Sequence, residues 1–369
     1  MRKLLLLYSM SLFLCEGHVF ATNSSASLQE QAIINSIIKD VKKSNISKMT
    51  SLLTRIKTSY GSNFINTILL AILESNIKNE KILITVVKLL LKKGANPYLK
   101  SSSSAYTPLE LAAKTGREAI IKLMLEHSTS SKNSNFGDAL HYAAINGYIN
   151  IVQYLVGKGA DVNGKNKSGE LLLVNILKNS IIKNESLYIQ MITFLISSGA
   201  NPYLKVSSSS YNPLELAAQK GFGSIVKSML GYNNRSPDFG DALHYATING
   251  YVNIIELLID HGANINGKSR SGNTVLLNLL ESTAIKSENL RNEIFRLLLH
   301  RGADLSMKGI SSLMPLELAA SKGYEGIVKI MIEHLKKSKN LNFGKALQYA
   351  KNSKIVQYLI NSGAKANLK

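Results

Sequence analysis

The chain has 369 residues, 45% of them hydrophobic, with 44 Lys and Arg against 24 Asp and Glu for a formal charge of +20. That apolar share can build a packed core, which excludes a fully disordered or collagen-like polymer. Its one cysteine, Cys15, excludes an intramolecular disulfide and a cysteine-based zinc site, while the charge bears on solubility and partners rather than on fold.

At the start, Arg2 and Lys3 precede an apolar run of eleven residues, Leu4 to Leu14. A bilayer span needs about 20 such residues, so the run is too short to cross one. Val19-Phe20-Ala21 follows with small residues suited to a cleavage site. Residues 1–21 therefore read as a signal peptide cut after Ala21, which implies a secreted or periplasmic protein. The polar stretch TNSSASLQEQ that comes next counts against a buried first helix. A lipid anchor on Cys15 is the alternative, but it places Leu14 where a lipobox takes a small residue. A cut after Ala21 leaves a mature chain without cysteine, and no later stretch is long and apolar enough to span a membrane. Residues 22–60 read as a linker and a degenerate capping helix pair, with Ile33, Ile34, Ile37, Ile38, Leu52 and Leu53 as its apolar side.

From residue 61 the chain repeats itself. GANPYLK at 94–100 returns at 199–205 and as GADLSMK at 302–308, and PLELAA stands at 108–113, 213–218 and 315–320. FGDALHYA at 136–143 returns at 239–246 and as FGKALQYA at 343–350. The offsets all fall between 102 and 105 residues, so three blocks of about 100 residues follow one another. Each block divides into three units of about 30–37 residues. In one such unit Leu140, Ala143, Ala144, Ile151, Val152 and Leu155 recur at helical spacing around a break at Asn146-Gly147. Gly147 and Gly159 stand where a helix ends in a positive-φ residue. Two short antiparallel helices cannot bury their apolar faces alone, so neighbouring units must stack.

With Thr107-Pro108-Leu109-Glu110-Leu111-Ala112-Ala113, then Leu140-His141-Tyr142-Ala143-Ala144, Ile151-Val152 and Gly159-Ala160-Asp161-Val162-Asn163, the chain resembles the ankyrin repeat family. The resemblance covers about residues 61–369, or about nine repeats. It implies an all-α ankyrin-repeat solenoid of stacked helix pairs with short β-hairpin fingers, acting in protein recognition. Departures from the pattern carry expectations of their own. Thr107, Asn212 and Thr274 keep a capping side chain before the inner helix, and Asp138 and Asp241 would supply one by another route. Met314 and Lys345 do not, so the last block should begin its helices less sharply. Its final unit is three residues shorter, as befits a terminal cap. Insertions at 179–185 and 281–289 lengthen every third unit, and serine tips stand at 101–104 and 207–210.

The residue pattern holds no catalytic constellation, so the reading is of a non-enzyme without cofactor, metal or small-molecule substrate. The resemblance gives His141 and His244 a structural hydrogen bond near the inner-helix start. His127, His261, His300 and His334 fall at outer-helix ends, where the helix dipole favours a cation. Glu110, Glu215 and Glu317 sit in first turns, where an acid suits the dipole, and are too far apart to act as an acid–base pair. Gly221-Phe222-Gly223 has no strand before it, and no serine stands in a G-x-S-x-G setting.

What remains is a surface. Carried over from ankyrin-like stacks, the concave candidates are Lys165, Lys167, Lys268 and Arg270 in finger tips. Lys114, Ile145, Asn146, Lys220 and Lys322 join them at inner-helix ends, while Lys100, Lys205 and Lys308 open other fingers. A basic groove of this kind would dock an acidic protein, with charge raising the on-rate; the plainer alternative is a set of solvated lysines. Nucleic acid is disfavoured, since neither aromatic platforms interleaved with the basic residues nor a DNA-reading motif is evident. The leader, with Lys- and Asn-biased usage, suggests a bacterial protein exported toward a host target, or alternatively a periplasmic assembly module binding a self protein.

Overall fold

The computed structural model describes residues 28–59, 62–101, 104–127, 136–205, 211–232, 239–337, 343 and 345–364. The expected leader at 1–21, its cut after Ala21, the serine tip at 207–210 and part of that at 101–104 lie outside the described residues. Two compact units emerge, one ending at Ala160 and the other beginning at Asp161.

The first unit holds four helix pairs: α1 Leu28–Lys42 with α2 Ile46–Ser59, α3 Ser62–Glu74 with α4 Glu80–Lys92, α5 Pro108–Lys114 with α6 Glu118–His127, and α7 Gly137–Ile145 with α8 Ile149–Gly157. The second holds six: α9 Leu172–Asn179 with α10 Glu185–Ser197, α11 Pro213–Lys220 with α12 Gly223–Leu230, α13 Ala242–Asn249 with α14 Val252–Asp260, α15 Val275–Glu281 with α16 Glu288–His300, α17 Pro315–Lys322 with α18 Glu325–Lys337, and α19 Ala346–Tyr349 with α20 Ser353–Asn361. Within each unit the first helix of a pair packs on the first helix of the next pair.

Burial explains the composition of the two helix types. Inner helices are covered on both sides, so Pro213 to Ala218, Leu172 to Leu177 and Val275 to Leu280 are buried without interruption. Outer helices keep one face in water and bury stripes such as Ile151, Val152 and Leu155, or Ile254, Ile255 and Leu258. Each fully buried Leu or Ile contributes about 1.5–3 kcal/mol, and most of those contacts lie between neighbours.

Helix starts follow the sequence in part. Thr107, Asn212 and Thr274 accept from the backbone N–H groups of Glu110, Glu215 and Leu277. Asp241 makes no cap bond to its own helix; its carboxylate accepts the Arg270 backbone N–H instead, and α7 begins after Phe136 without a side-chain cap. The capping role expected of Asp241 is thus corrected, because its carboxylate faces the Arg270 backbone N–H and guanidinium on the following finger rather than its own helix. Met314 lacks a cap of its own, yet α17 opens at Pro315 like α11 at Pro213, because Glu317 Oε2 still accepts the Met314 N–H at 2.8 Å. The expected weakening appears only after Lys345, where α19 is four residues long.

The fingers are also corrected. Among the described residues their β pairing is one antiparallel bridge, Lys165 to Leu171. Side chains do the folding that a strand ladder would otherwise do. Asn96, Asp161, Asn201, Asn264 and Asp304 each accept the backbone N–H two residues on, at 2.7–3.0 Å. Successive fingers are then tied together. Asn163 donates to the Gly199 carbonyl and accepts from Asn201 N–H, and Asn266 does the same to Gly302 and Asp304.

Candidate functional site

In the first unit, Lys114 lies at the exposed end of α5. Its Nζ donates to the Tyr106 hydroxyl at 2.7 Å and sits 4.3 Å from that ring's centre. Tyr106 meets Tyr142 edge to face at 5.4 Å. Ile145 and Asn146 are half-buried, and the Asn146 amide donates to the Tyr142 carbonyl, closing α7. The second unit repeats this arrangement: Tyr211 meets Tyr245 at 5.3 Å, and Gln219 reaches the Tyr211 hydroxyl at 3.4 Å. Burial pushes the Tyr245 phenol up to about 12, so it stays protonated. Sequence reasoning missed these tyrosines. The signal was present in their recurrence, one residue before the cap in AYTP and SYNP and after the histidine in LHYA.

Lys165 and Lys167 are exposed in a finger held by the Asn166 N–H to Glu170 carbonyl bond, 3.0 Å. Glu170, the acid of that finger, pairs with Lys178 at 3.0 Å. Lys220 and Lys322 are exposed at the ends of α11 and α17. Lys268 and Arg270 share an open cleft of about 730 Å³ with Lys205, His261 and His244.

Arg270 has an internal task there. Its Nη2 pairs with Glu215 Oε1, its Nε lies 3.7 Å from Asp241 Oδ2, and Glu215 is 0% exposed. The bond to Glu215, followed by these acids' charge, holds the guanidinium above its ordinary pKa. Glu215 also accepts Asn212 N–H through Oε2 and Asp241 N–H through Oε1, both at 3.0 Å. One carboxylate therefore caps α11, anchors the start of α13 and receives an arginine from the following finger. Glu317 repeats the first two contacts, accepting Met314 N–H and Lys345 N–H. Glu215 and Glu317, expected merely to complement a dipole, are thus ties between repeats.

His244 is buried, receives the Asn278 amide on Nδ1 at 2.9 Å and makes a backbone hydrogen bond with Gly267. This is the structural bond that the resemblance implied. Loss of water lowers its pKa, partly offset by Asp241 and the Gly267 bond. Among the described residues no three His, Cys, Asp or Glu form a group able to hold a metal ion, and no helix is long and apolar enough to cross a membrane.

A family model for ankyrin repeats in three copies matches residues 70–166, 180–269, 214–308 and 282–369. The chain belongs to the ankyrin repeat family, and its fold is the all-α ankyrin solenoid. It is similar to a probable E3 ubiquitin-protein ligase of Oryza sativa subsp. japonica, 29% identical over 196 residues, covering 42% of this chain and 38% of that protein. It is also similar to NF-kappa-B inhibitor alpha of Rattus norvegicus, 35% identical over 88 residues, covering 22% of this chain and 28% of that protein. Both alignments thus span well under half of the relative. Among solved structures, the ankyrin repeat domain of Bcl-3 aligns over 62% of this chain and 100% of its own with a TM-score of 0.51 at 19% identity, a likeness of fold. Ankyrin repeats make this chain a protein–protein interaction scaffold.

Proposed function

We propose that this scaffold is non-catalytic and binds an acidic protein through its fingers and inner-helix ends. The observation that carries this reading is the second unit's cleft, where Lys205 and Lys268 stand exposed beside a Glu215–Asp241–Arg270 cluster in which one arginine offsets one of the two acids. Both acids are buried and held by Arg270, so the two exposed lysines outweigh the cluster's residual negative charge in the field that an approaching partner meets. Lys165 extends the same sign on another finger, and the half-buried tyrosine pairs supply the aromatic area that carries binding energy at protein interfaces.

Changing Lys165, Lys205 and Lys268 to Glu while leaving Arg270 in place should reduce partner recovery, with the wild-type chain losing more partner than the variant as salt rises. Equal recovery and equal salt response would remove the basic groove from the proposal. The reading extends to export from a bacterial cell, supported by the leader-like residues 1–21, with a host protein as target. Proximity labelling with the exported chain is expected to mark host proteins. Marking only the producing cell's own proteins would replace this reading with a periplasmic assembly role.

A further inference from the structure

Three helix-to-helix loops share one motif: SNIKNE at 75–80, SIIKNE at 180–185 and STAIKSE at 282–288. In each, the residue before the glutamate caps the outer helix: Asn79, Asn184 and Ser287 accept from Ile82, Leu187 and Leu290 N–H. The motif isoleucine is buried in two of them, Ile77 at 5% exposure and Ile285 at 4%. In the middle loop Ile182 is half-buried and its neighbour Ile181 is 67% exposed.

Beside that loop lies a cavity of about 350 Å³. Ile182, Tyr188 and Ile189 wall it on one side, and Phe222 and Ile225 of the next pair on the other. Tyr188 meets Phe222 edge to face at 5.8 Å, and its hydroxyl points to the Ile176 carbonyl at 3.4 Å. One block later, Arg291 stands at the Tyr188 position and Tyr324 at the Phe222 position. There the guanidinium lies 4.5 Å from the Tyr324 ring centre and donates to the carbonyls of Ser282 and Ile285. At the equivalent place one block later, Arg291 is buried between its loop and Tyr324, whereas Tyr188 borders the cavity.

From this contrast we infer that the cavity beside Tyr188 receives a large apolar side chain from an acidic partner segment. The volume lies within the range of about 300–1,000 Å³ typical of ligand sites. The walls are aromatic and aliphatic, so an aromatic anchor gains burial there. Lys183 and Lys220 stand exposed at its rim, and neither is ion-paired among the described residues. The rim acid Glu185 occupies the first turn of α10, where the helix dipole offsets its charge. An acidic backbone flanking the anchor therefore complements the rim. This pocket uses none of the finger lysines and shares only Lys220 with the surface proposed above, so a test that varies Tyr188 and Lys183 stands or falls apart from that proposal.

The test uses the full chain with isoleucine δ1-methyl labels and three synthetic peptides: acetyl-Glu-Glu-Phe-Asp-Glu-amide, its Phe-to-Ala form and acetyl-Lys-Lys-Phe-Lys-Lys-amide. The first is expected to shift the Ile182, Ile189 and Ile225 methyls saturably. The second should bind about tenfold more weakly, as expected for loss of a buried ring, and the third not measurably. Tyr188→Arg, which installs the residue of the next block, should abolish the shifts. The exposed Lys183→Glu leaves packing alone and should weaken the acidic peptide severalfold. Equal responses to all three peptides, shifts elsewhere only, or full binding by a folded Tyr188→Arg or by Lys183→Glu would overturn the inference. Methyl shifts that follow protein concentration without peptide would also overturn it, by assigning the cavity to a second copy.

Discussion

Glu215 shows how much one buried carboxylate can organise. Replacing it with Ala leaves the Asn212 and Asp241 N–H groups without an acceptor, at about 1–3 kcal/mol for each. Arg270→Ala leaves both of those bonds in place, and Arg270 is 40% exposed, so the arginine change should cost less. Urea unfolding of both variants and of the double variant checks that ranking; equal costs would contradict it. The same carboxylate explains Gly240, whose φ is +49 and whose added Cβ would fall 1.9 Å from Glu215 Oε1. Gly240→Ala should therefore destabilise by more than the roughly 0.4–1 kcal/mol that the same change gains at a compatible site, read as faster amide exchange in α13. His244 supplies a pH dependence. Its folded pKa lies below the unfolded value near 6.5, so its contribution is complete above that pH. Stability should decline as pH falls through 6.5 toward the depressed folded pKa, because the unfolded chain then binds the extra proton. His244→Gln should flatten that part of a Tm-against-pH profile, and an unchanged slope would show that other groups set it.

At the scale of elements, the inner helices are defined by caps and turns more than by length. Eight residues with Pro at the first turn, a cap before it and Gly221 at φ +78 after it suffice for α11. The first turn of α17 lacks only the side-chain half of that device. Met314→Thr should restore it and add about 0.5–1 kcal/mol. The gain would show as slower amide exchange at Glu317; an unchanged rate would mean that the Glu317 bond to Met314 already does the whole job. The helix pairs were legible because their apolar spacing and glycine stops repeat three times. The finger geometry was not, since an asparagine that folds its own loop and one that ties two fingers look alike in the sequence. Asn201 and Asn163 differ only in what stands across from them.

At the scale of the molecule, contacts between neighbouring pairs make stability a sum of local terms, so a substitution should act on its own pair and the two beside it. Amide exchange across the Gly240→Ala chain would display that range directly. The charge of +20 gives the chain a net positive balance, which predicts salt-sensitive association rather than any particular partner. The proposed leader makes a mass prediction as well. Exported material should begin at Thr22, and an intact Met1 on such material would exclude the cut after Ala21.

By itself the sequence determined the family, the helix pairs, the capped starts at Thr107, Asn212 and Thr274, and the basic finger positions. Each of these depends on spacing along the chain or on residue chemistry within one turn. The tertiary structure alone decided that Arg270 is held by Glu215 and Asp241, that Glu215 and Glu317 tie one pair to the next, and that Tyr188 borders a cavity while Arg291, at the equivalent place, bonds its loop's carbonyls. Those facts join residues 26 to 55 positions apart, or compare equivalent places in different blocks. A lysine-rich or acid-rich position announces its charge in the sequence. Whether that charge is available to a partner depends on which side chain the fold sets opposite it.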